Sequence, residues 1–275
     1  MNGMRIVLVL LVSGAAMGYA NDKIPAKNER LPLQKELDGY KDTPMHPDGK
    51  FHIHDPDRPQ PPVAAPKYDG KPVPPPDGAT VIFDGRDTDQ FQNKSWPIKD
   101  GIMLVGKGHQ ETKKSFGDMH LHLEFRIPEN SIGGWGQKQG NSGVFLMGLY
   151  EIQILNGWAN RTYPDGMLGA LYGDKPPLVN AAKKPGEWQS YDIHFTAPVF
   201  ADANVVSPAR VTVYLNNVLV QDKSAFRGAS SWRRIPRYKP HPDKLPLKLQ
   251  AHGNRIEFRN IWAVEDGAAA GERRG

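Results

Sequence analysis

Two short segments place an acid among residues that would otherwise all be buried. In Tyr150-Glu151-Ile152-Gln153-Ile154-Leu155 and in His120-Leu121-His122-Leu123-Glu124-Phe125-Arg126, apolar and polar side chains alternate. Successive side chains of a strand point to opposite faces, so Tyr150, Ile152 and Ile154 enter a core while Glu151 and Gln153 share the other face. By the same rule Leu121, Leu123 and Phe125 are inward, and His120, His122, Glu124 and Arg126 are outward. Glu is depleted in strands, so a carboxylate in each of two apolar strands calls for a chemical reason. The two acidic strands are expected to share one face. His252, beside the turn residue Gly253, adds an imidazole that titrates near neutral pH and can act as a general acid or base.

A sheet face bearing Glu, Gln, His and Arg suits sugar hydroxyls, with Gln153 and Arg126 as hydrogen-bonding groups. Trp135, Trp158 and Trp188 offer the flat apolar surfaces that sugar rings need. Taken singly, each residue also has an ordinary reading: an exposed charge, a hydrogen-bonded histidine, a core tryptophan. Gly140-Asn141-Ser142-Gly143, between the acidic strands, reads by itself only as a turn.

The elements that must position these groups are strands. From Ala79 onward, short runs rich in Val, Ile, Phe, Tyr and Leu alternate with Gly, Pro, Asn and Asp, the rhythm of antiparallel sheet. Candidate strands are Thr80–Phe83, Ile102–Val105, Met119–Ile127, Ser142–Leu149, Tyr150–Leu155, Gly169–Tyr172, Trp188–Thr196, Ala209–Leu215, Val218–Gln221, Leu247–Ala251 and Ile256–Val264. Asn216-Asn217 marks a hairpin, because Asn tolerates the left-handed backbone of a tight turn. With no convincing amphipathic helix competing, the expectation is an all-β sandwich of two antiparallel sheets.

Ahead of it, 21–78 is rich in Pro with few apolar runs, a composition that cannot hold a core of its own. It reads as an extended arm, either wrapping the domain or tethering it. His52 and His54, two residues apart, would lie on one side of an extended arm, and with no third ligand in view they read as part of a polar arm rather than as a metal site. Residues 1–20 follow the order of a secretory signal peptide: Arg5, an apolar run Ile6–Val12, then small residues up to Ala20, the expected cleavage point. That run is too short to span a bilayer, so a secreted or periplasmic protein with no transmembrane anchor is expected. The segment 266–275 is small and polar and reads as a disordered tail.

The 275-residue chain has no Cys, which excludes a disulfide framework and leaves stability to packing. Its net charge of +5 falls to +4 when Arg5 leaves with the leader, and no dense basic block tracks a phosphate backbone, so nucleic acid is not an expected partner. Arg233, Arg234 and Arg237 cluster beside Trp232 and Tyr238, an arrangement of a solvated loop or of a stacked anion site. The oligomeric state is not legible.

Read together, the pieces fall in a recognisable order: Phe83-Asp84-Gly85, Trp96 with Asp100-Gly101, the strand around Glu124, Asn141-Ser142-Gly143, Glu151-Ile152-Gln153, Pro185-Gly186-Glu187-Trp188, Leu215-Asn216-Asn217, His252-Gly253 and Phe258-Arg259-Asn260-Ile261. From about Ala79 to Glu265 the chain resembles the 3-keto-disaccharide hydrolase family. The resemblance implies a concanavalin A-like jelly roll with carbohydrate bound on one sheet, and nominates Glu124, Asn141, Ser142, Glu151, Gln153 and His252 as the site. Gln153 stands where the glucanases of that superfamily carry a second carboxylate on the same strand, which argues against double-displacement hydrolysis.

A 3-keto sugar opens another route. Its ketone acidifies the C2 proton, so a base can remove that proton, the C1 substituent can leave, and water can add to the enone. Glu151 or Glu124 is the expected base, His252 or the other Glu the acid, and Asn141 and Gln153 the holders of the enolate oxygen. A divalent metal near His120, His122 and Glu124 would polarise the ketone, although no complete ligand set of known spacing is visible. The rival readings are a lectin-like module that binds glycans without turnover, and a structural element docked through its arm.

Overall fold

The computed structural model describes residues 39–129 and 135–265. The leader with its expected cleavage after Ala20, the start of the arm and the tail 266–275 lie outside the described residues. The chain is an all-β jelly-roll sandwich, built from β1 (Thr80–Phe83), β2 (Ile98–Lys99), β3 (Ile102–Leu104), β4 (Gln110–Phe116), β5 (Met119–Arg126), β6 (Ser142–Leu146), β7 (Tyr150–Ile154), β8 (Trp188–Thr196), β9 (Val199–Ala201), β10 (Asn204–Ser207), β11 (Arg210–Leu215), β12 (Val218–Ala225), β13 (Leu245–Leu249) and β14 (Glu257–Glu265). One sheet has eight strands in the order β12-β11-β8-β5-β14-β3-β2, with β1 also paired to β14. The other has four, β4-β13-β6-β7, and β9 with β10 forms a small ribbon. No helix among the described residues is long and apolar enough to cross a membrane.

The period-2 pattern explains how the sheets pack. Leu121, Leu123 and Phe125 of β5 and Tyr191, Ile193 and Phe195 of β8 join Val144 and Leu146 of β6 and Tyr150, Ile152 and Ile154 of β7 in one buried cluster. Each such side chain contributes roughly 1.5–3 kcal/mol by leaving water. The polar alternates of each sheet therefore face away from the other sheet.

Several expectations shift for identifiable reasons. The polar edge strand β4, with Lys113 and Lys114 exposed, lacks the apolar run that marks a strand, and its charges protect a sheet edge. Ser142–Leu149 ends early because Met147 and Gly148 turn with φ of 53° and 67°, joining β6 to β7. Gly169–Tyr172 is not a strand, but it follows the open edge of β7 at isolated points, with Gly169 N donating to Gln153 O (3.0 Å) and Tyr172 N to Glu151 O (3.2 Å). The Asn216-Asn217 hairpin is present with φ of 52° and 61°.

The described part of the arm wraps the sandwich. Lacking ladder donors at its prolines, it is held by single bonds: Asn180 N to Pro62 O (2.9 Å), Ala64 N to Asn180 O (2.9 Å), and Lys67 N and Tyr68 N to Asn216 O (2.9 and 3.1 Å). Its two histidines part company. His54, at φ 60°, is fully buried, whereas His52 is only half-buried, with Nδ1 paired to Thr43 O; the left-handed turn breaks the extended run that would have aligned them.

Candidate active site

A cleft of about 420 Å³ opens on the outer face of β6 and β7, the face away from the core. Glu151 lies in it, almost completely buried. Its carboxylate has no hydrogen-bond partner among the described residues, and burial pushes its pKa up to about 8, with Lys248 pulling the other way. Lys248, Phe145 and Glu151 stand side by side across β13, β6 and β7, and the Lys248 ammonium lies 4.2 Å over the Phe145 ring. A carboxylate so placed is a strong base once ionised and is protonated at lower pH.

The seat of that carboxylate is Gly143. A Cβ there would come within 2.3 Å of Glu151 Oε1 and 3.0 Å of the Phe145 ring. Because the Gly143 backbone is ordinary extended strand, Gly143→Ala is expected to fold while displacing Glu151. Turnover should drop by about 10²-fold, the usual cost of misplacing a reacting group, with an unchanged circular dichroism spectrum; wild-type turnover would show that the seat does not matter.

Around Glu151 stand amides, hydroxyls and rings. Asn141 and Gln153 also line the cleft. The Asn141 amide donates to Gln137 O (2.9 Å) and Gln137 Oε1 (3.1 Å), and the Gln153 amide to Gln137 Oε1 (3.0 Å) and Gly166 O (3.3 Å). Their N–H groups are thus used within the protein, which corrects the expectation that they hold an enolate. Gln153 Oε1 and Gln250 Oε1 are buried without a partner among the described residues, and such acceptors suit sugar hydroxyls. Ser230 Oγ accepts from Glu151 N (2.9 Å). His252 is exposed and also lines the cleft.

Sequence reasoning overlooked the aromatic walls. Tyr163 and Tyr172 line the cleft with their hydroxyls 3.0 Å apart. Trp232, 58% exposed, meets Tyr40 of the arm edge-on at 6.0 Å between centroids. Arg233 lies 4.3 Å over the Tyr40 ring and pairs with Asp42 at 2.7 Å, so this arginine fastens the arm to the loop. The signal for Trp232 was present in its basic cluster, but nothing in the sequence tied that cluster to the arm.

Glu124 is not in this cleft, which overturns the expectation of a shared face. Strand β5 belongs to the eight-stranded sheet and β7 to the four-stranded one, so outward residues on the two strands point to opposite sides of the sandwich. Glu124 is fully buried under the arm: Oε1 accepts from Val73 N (2.9 Å) and Asn260 Nδ2 (2.7 Å), and Oε2 from Arg259 Nε (2.6 Å). Burial would raise its pKa, but His122, Asn260, the Val73 amide and Arg259 hold it down at about 2.

His122 bridges Asp192 (2.9 Å) and Glu124 (3.4 Å), and His120 reaches Asp192 (3.2 Å). Burial works against the His122 cation, yet the hydrogen bonds it donates to Asp192 and Glu124 raise its pKa. Among the described residues no group of three His, Cys, Asp or Glu side chains is arranged to hold a metal ion.

Three further nominated residues also lie elsewhere. Arg126 pairs with Glu257 and stacks on Trp188 at 4.7 Å, on the eight-stranded sheet. Ser142 is turned inward, its hydroxyl donating to Gln250 O (2.8 Å). Trp158 packs under the Lys184 ammonium at 5.3 Å and does not line the cleft.

Comparison with known proteins places this geometry. Residues 78–264 match the family described as the 3-keto-alpha-glucoside-1,2-lyase-like domain. A protein of Parabacteroides distasonis, provisionally named a glycosyl hydrolase, is 39% identical, with a TM-score of 0.70 over 76% of this chain and 93% of its own. Two more proteins of that organism carrying the same provisional name share the fold: one is 24% identical, with a TM-score of 0.50 over 69% of this chain and 100% of its own, and the other 18% identical, with 0.50 over 71% and 100%. No curated protein matches.

Proposed function

The chain belongs to the 3-keto-alpha-glucoside-1,2-lyase-like domain family, and from that membership we propose that it cleaves the glycosidic bond of 3-keto-glycosides in the cleft around Glu151. The observation that carries the reading is the solitary, unpartnered acid. Among the described residues lining the cleft, Glu151 is the one carboxylate. Glycosidases that work by displacement need two, about 5 Å apart for retention and about 6.5–9.5 Å for inversion. Asp165 does not serve as the second, being fully buried and bound to His54 N (2.9 Å) and Arg58 (3.3 Å).

One carboxylate suffices for elimination. Ionised Glu151 takes the C2 proton, and the electron pair of that bond moves into the ring to form the C2–C3 enolate. Its collapse expels the C1 oxygen, giving a C1=C2 enone and the aglycone. His252, or Glu151 carrying the proton it has just taken, returns a proton to the leaving oxygen. Water adding at C1 then gives the free 3-keto sugar, so the net result is hydrolysis. A base with a pKa of about 8 suits a carbon acid better than an ordinary carboxylate does.

The test is turnover of methyl 3-keto-α-glucoside beside methyl α-glucoside, in D2O. Cleavage of the ketone alone, with deuterium at C2 of the hydrated product, is expected. Equal cleavage of both compounds would refute the elimination, and glycan binding with no turnover of either would favour the lectin-like reading.

A further inference from the structure

We propose that the Tyr172 hydroxyl is the hydrogen-bond donor to the substrate's C3 oxygen as charge develops there, and that His54, carried by the Pro-rich arm, is the positioning residue that seats it. The inference deepens the elimination reading and rests on it.

An enolate forming beside a buried carboxylate needs a preorganised donor aimed at its oxygen. The amide N–H groups of Asn141 and Gln153 are already bonded within the protein. Tyr172 and Tyr163 form a hydroxyl pair at 3.0 Å in the cleft wall. One proton of such a pair bridges the two oxygens; with Tyr163 donating, the Tyr172 proton points to a ligand. Burial raises the Tyr172 pKa well above that of an ordinary phenol, so this group stays a donor throughout the working pH range. Donor and base are also tied through the backbone, because Tyr172 N donates to Glu151 O (3.2 Å).

Behind the pair sits His54. Its ring is fully buried, 4.3 Å from the Tyr163 centroid and 4.9 Å from that of Tyr172. Its backbone N–H donates to Asp165 Oδ2 (2.9 Å), which also pairs with Arg58 (3.3 Å), so two arm residues close on one acid of the domain. Next to Tyr172, Gly173 has φ 74°, and a Cβ there would meet His54 Cε1 at 3.3 Å, so the loop closes onto the imidazole. Its Nδ1 stands 3.5 Å from Asp165 Oδ2, and neither ring nitrogen makes a hydrogen bond among the described residues. The imidazole therefore acts as a flat spacer that fixes the tilt of the tyrosines, and the arm becomes part of the catalytic apparatus.

The experiment uses the full chain and two probes, methyl 3-keto-α-glucoside for turnover and 1,5-anhydro-3-keto-glucitol, which has no exocyclic leaving group at C1, for exchange of the C2 proton in D2O. Tyr172→Phe is expected to lower both kcat and the exchange rate by about 10²–10³-fold, the usual cost of one oxyanion donor, with KM changed only a few-fold. His54→Ala should lower both rates in a wild-type background but hardly further in Tyr172→Phe, and His54→Phe, which keeps a ring between the tyrosines, should restore most of the loss. Exchange by Tyr172→Phe within a few-fold of wild type would overturn the donor role. Additive losses in the double variant would overturn the positioning role. A wild-type protein that neither cleaves nor exchanges would instead sink the elimination reading itself.

Discussion

Glu151→Gln is expected to lower kcat/KM for a 3-keto-glucoside by at least about 10³-fold, the upper range for removing a general base, while making the folded protein more stable at alkaline pH. The two effects share a cause. Glu151 is nearly fully buried, without a hydrogen-bond partner among the described residues, and its folded pKa of about 8 lies above the ordinary value of 4.5. Below pH 4.5 both folded and unfolded chains carry the proton and the site costs nothing. Between 4.5 and 8 the unfolded chain ionises first, so stability falls as pH rises, and above 8 the penalty is complete, on the order of a few kcal/mol.

Gln cannot ionise, so Glu151→Gln should melt at the wild-type temperature at pH 4 and above it at pH 8. Activity carries the opposite sign: kcat/KM of the wild type should rise with pH and level off above about 8 as the base ionises. A variant that keeps its turnover, or a rate that falls through that window, would remove Glu151 as the base. Gain of stability on loss of function is the usual signature of a strained catalytic group.

Glu124→Ala should do the reverse. Its carboxylate satisfies His122, Arg259, Asn260 and the Val73 amide at once, and its removal strands four partners beneath the arm. Breaking a buried charge pair costs about 3–5 kcal/mol, which for a domain of this size lowers Tm by roughly 10 °C. The folded pKa of about 2 lies below the ordinary value of 4.5, so this stabilisation is complete above pH 4.5 and is lost as pH falls toward 2. The difference between wild type and variant should therefore shrink in acid. Turnover at low temperature should stay within a few-fold of wild type, because the cleft lies on the other sheet and the arm residues beside it, Tyr40 and His54, are held separately by Arg233 and Asp165. Lost turnover with unchanged Tm would return Glu124 to the reacting groups.

The two acids show how far local pattern reaches. Both obey the same alternation, and the sequence placed Leu121, Leu123 and Phe125, and Tyr150, Ile152 and Ile154, in the core, where they are. Nothing local separates Glu124 from Glu151, because a strand's period states which residues turn outward but not which sheet the strand joins. Tyr40 was overlooked, and His54 was noted only as one of a pair on the arm, for a related reason. A Pro-rich segment has no periodicity, so its contacts with Tyr163, Tyr172 and Trp232, distant in the chain, leave no local mark. Strand β4 escaped because its charges serve the sheet edge and mask the apolar rhythm.

The amino-acid sequence by itself determined the all-β sandwich, the inward and outward faces, the Asn216-Asn217 hairpin and the family, since each depends on neighbours along the chain or on an ordered set of motifs. The tertiary structure alone decided that Glu124 fastens the arm while Glu151 stands in a cleft, and that the arm helps to wall that cleft. Burial, hydrogen-bond partners and pKa are properties of the space around a side chain, and that space is filled by residues far away in the chain.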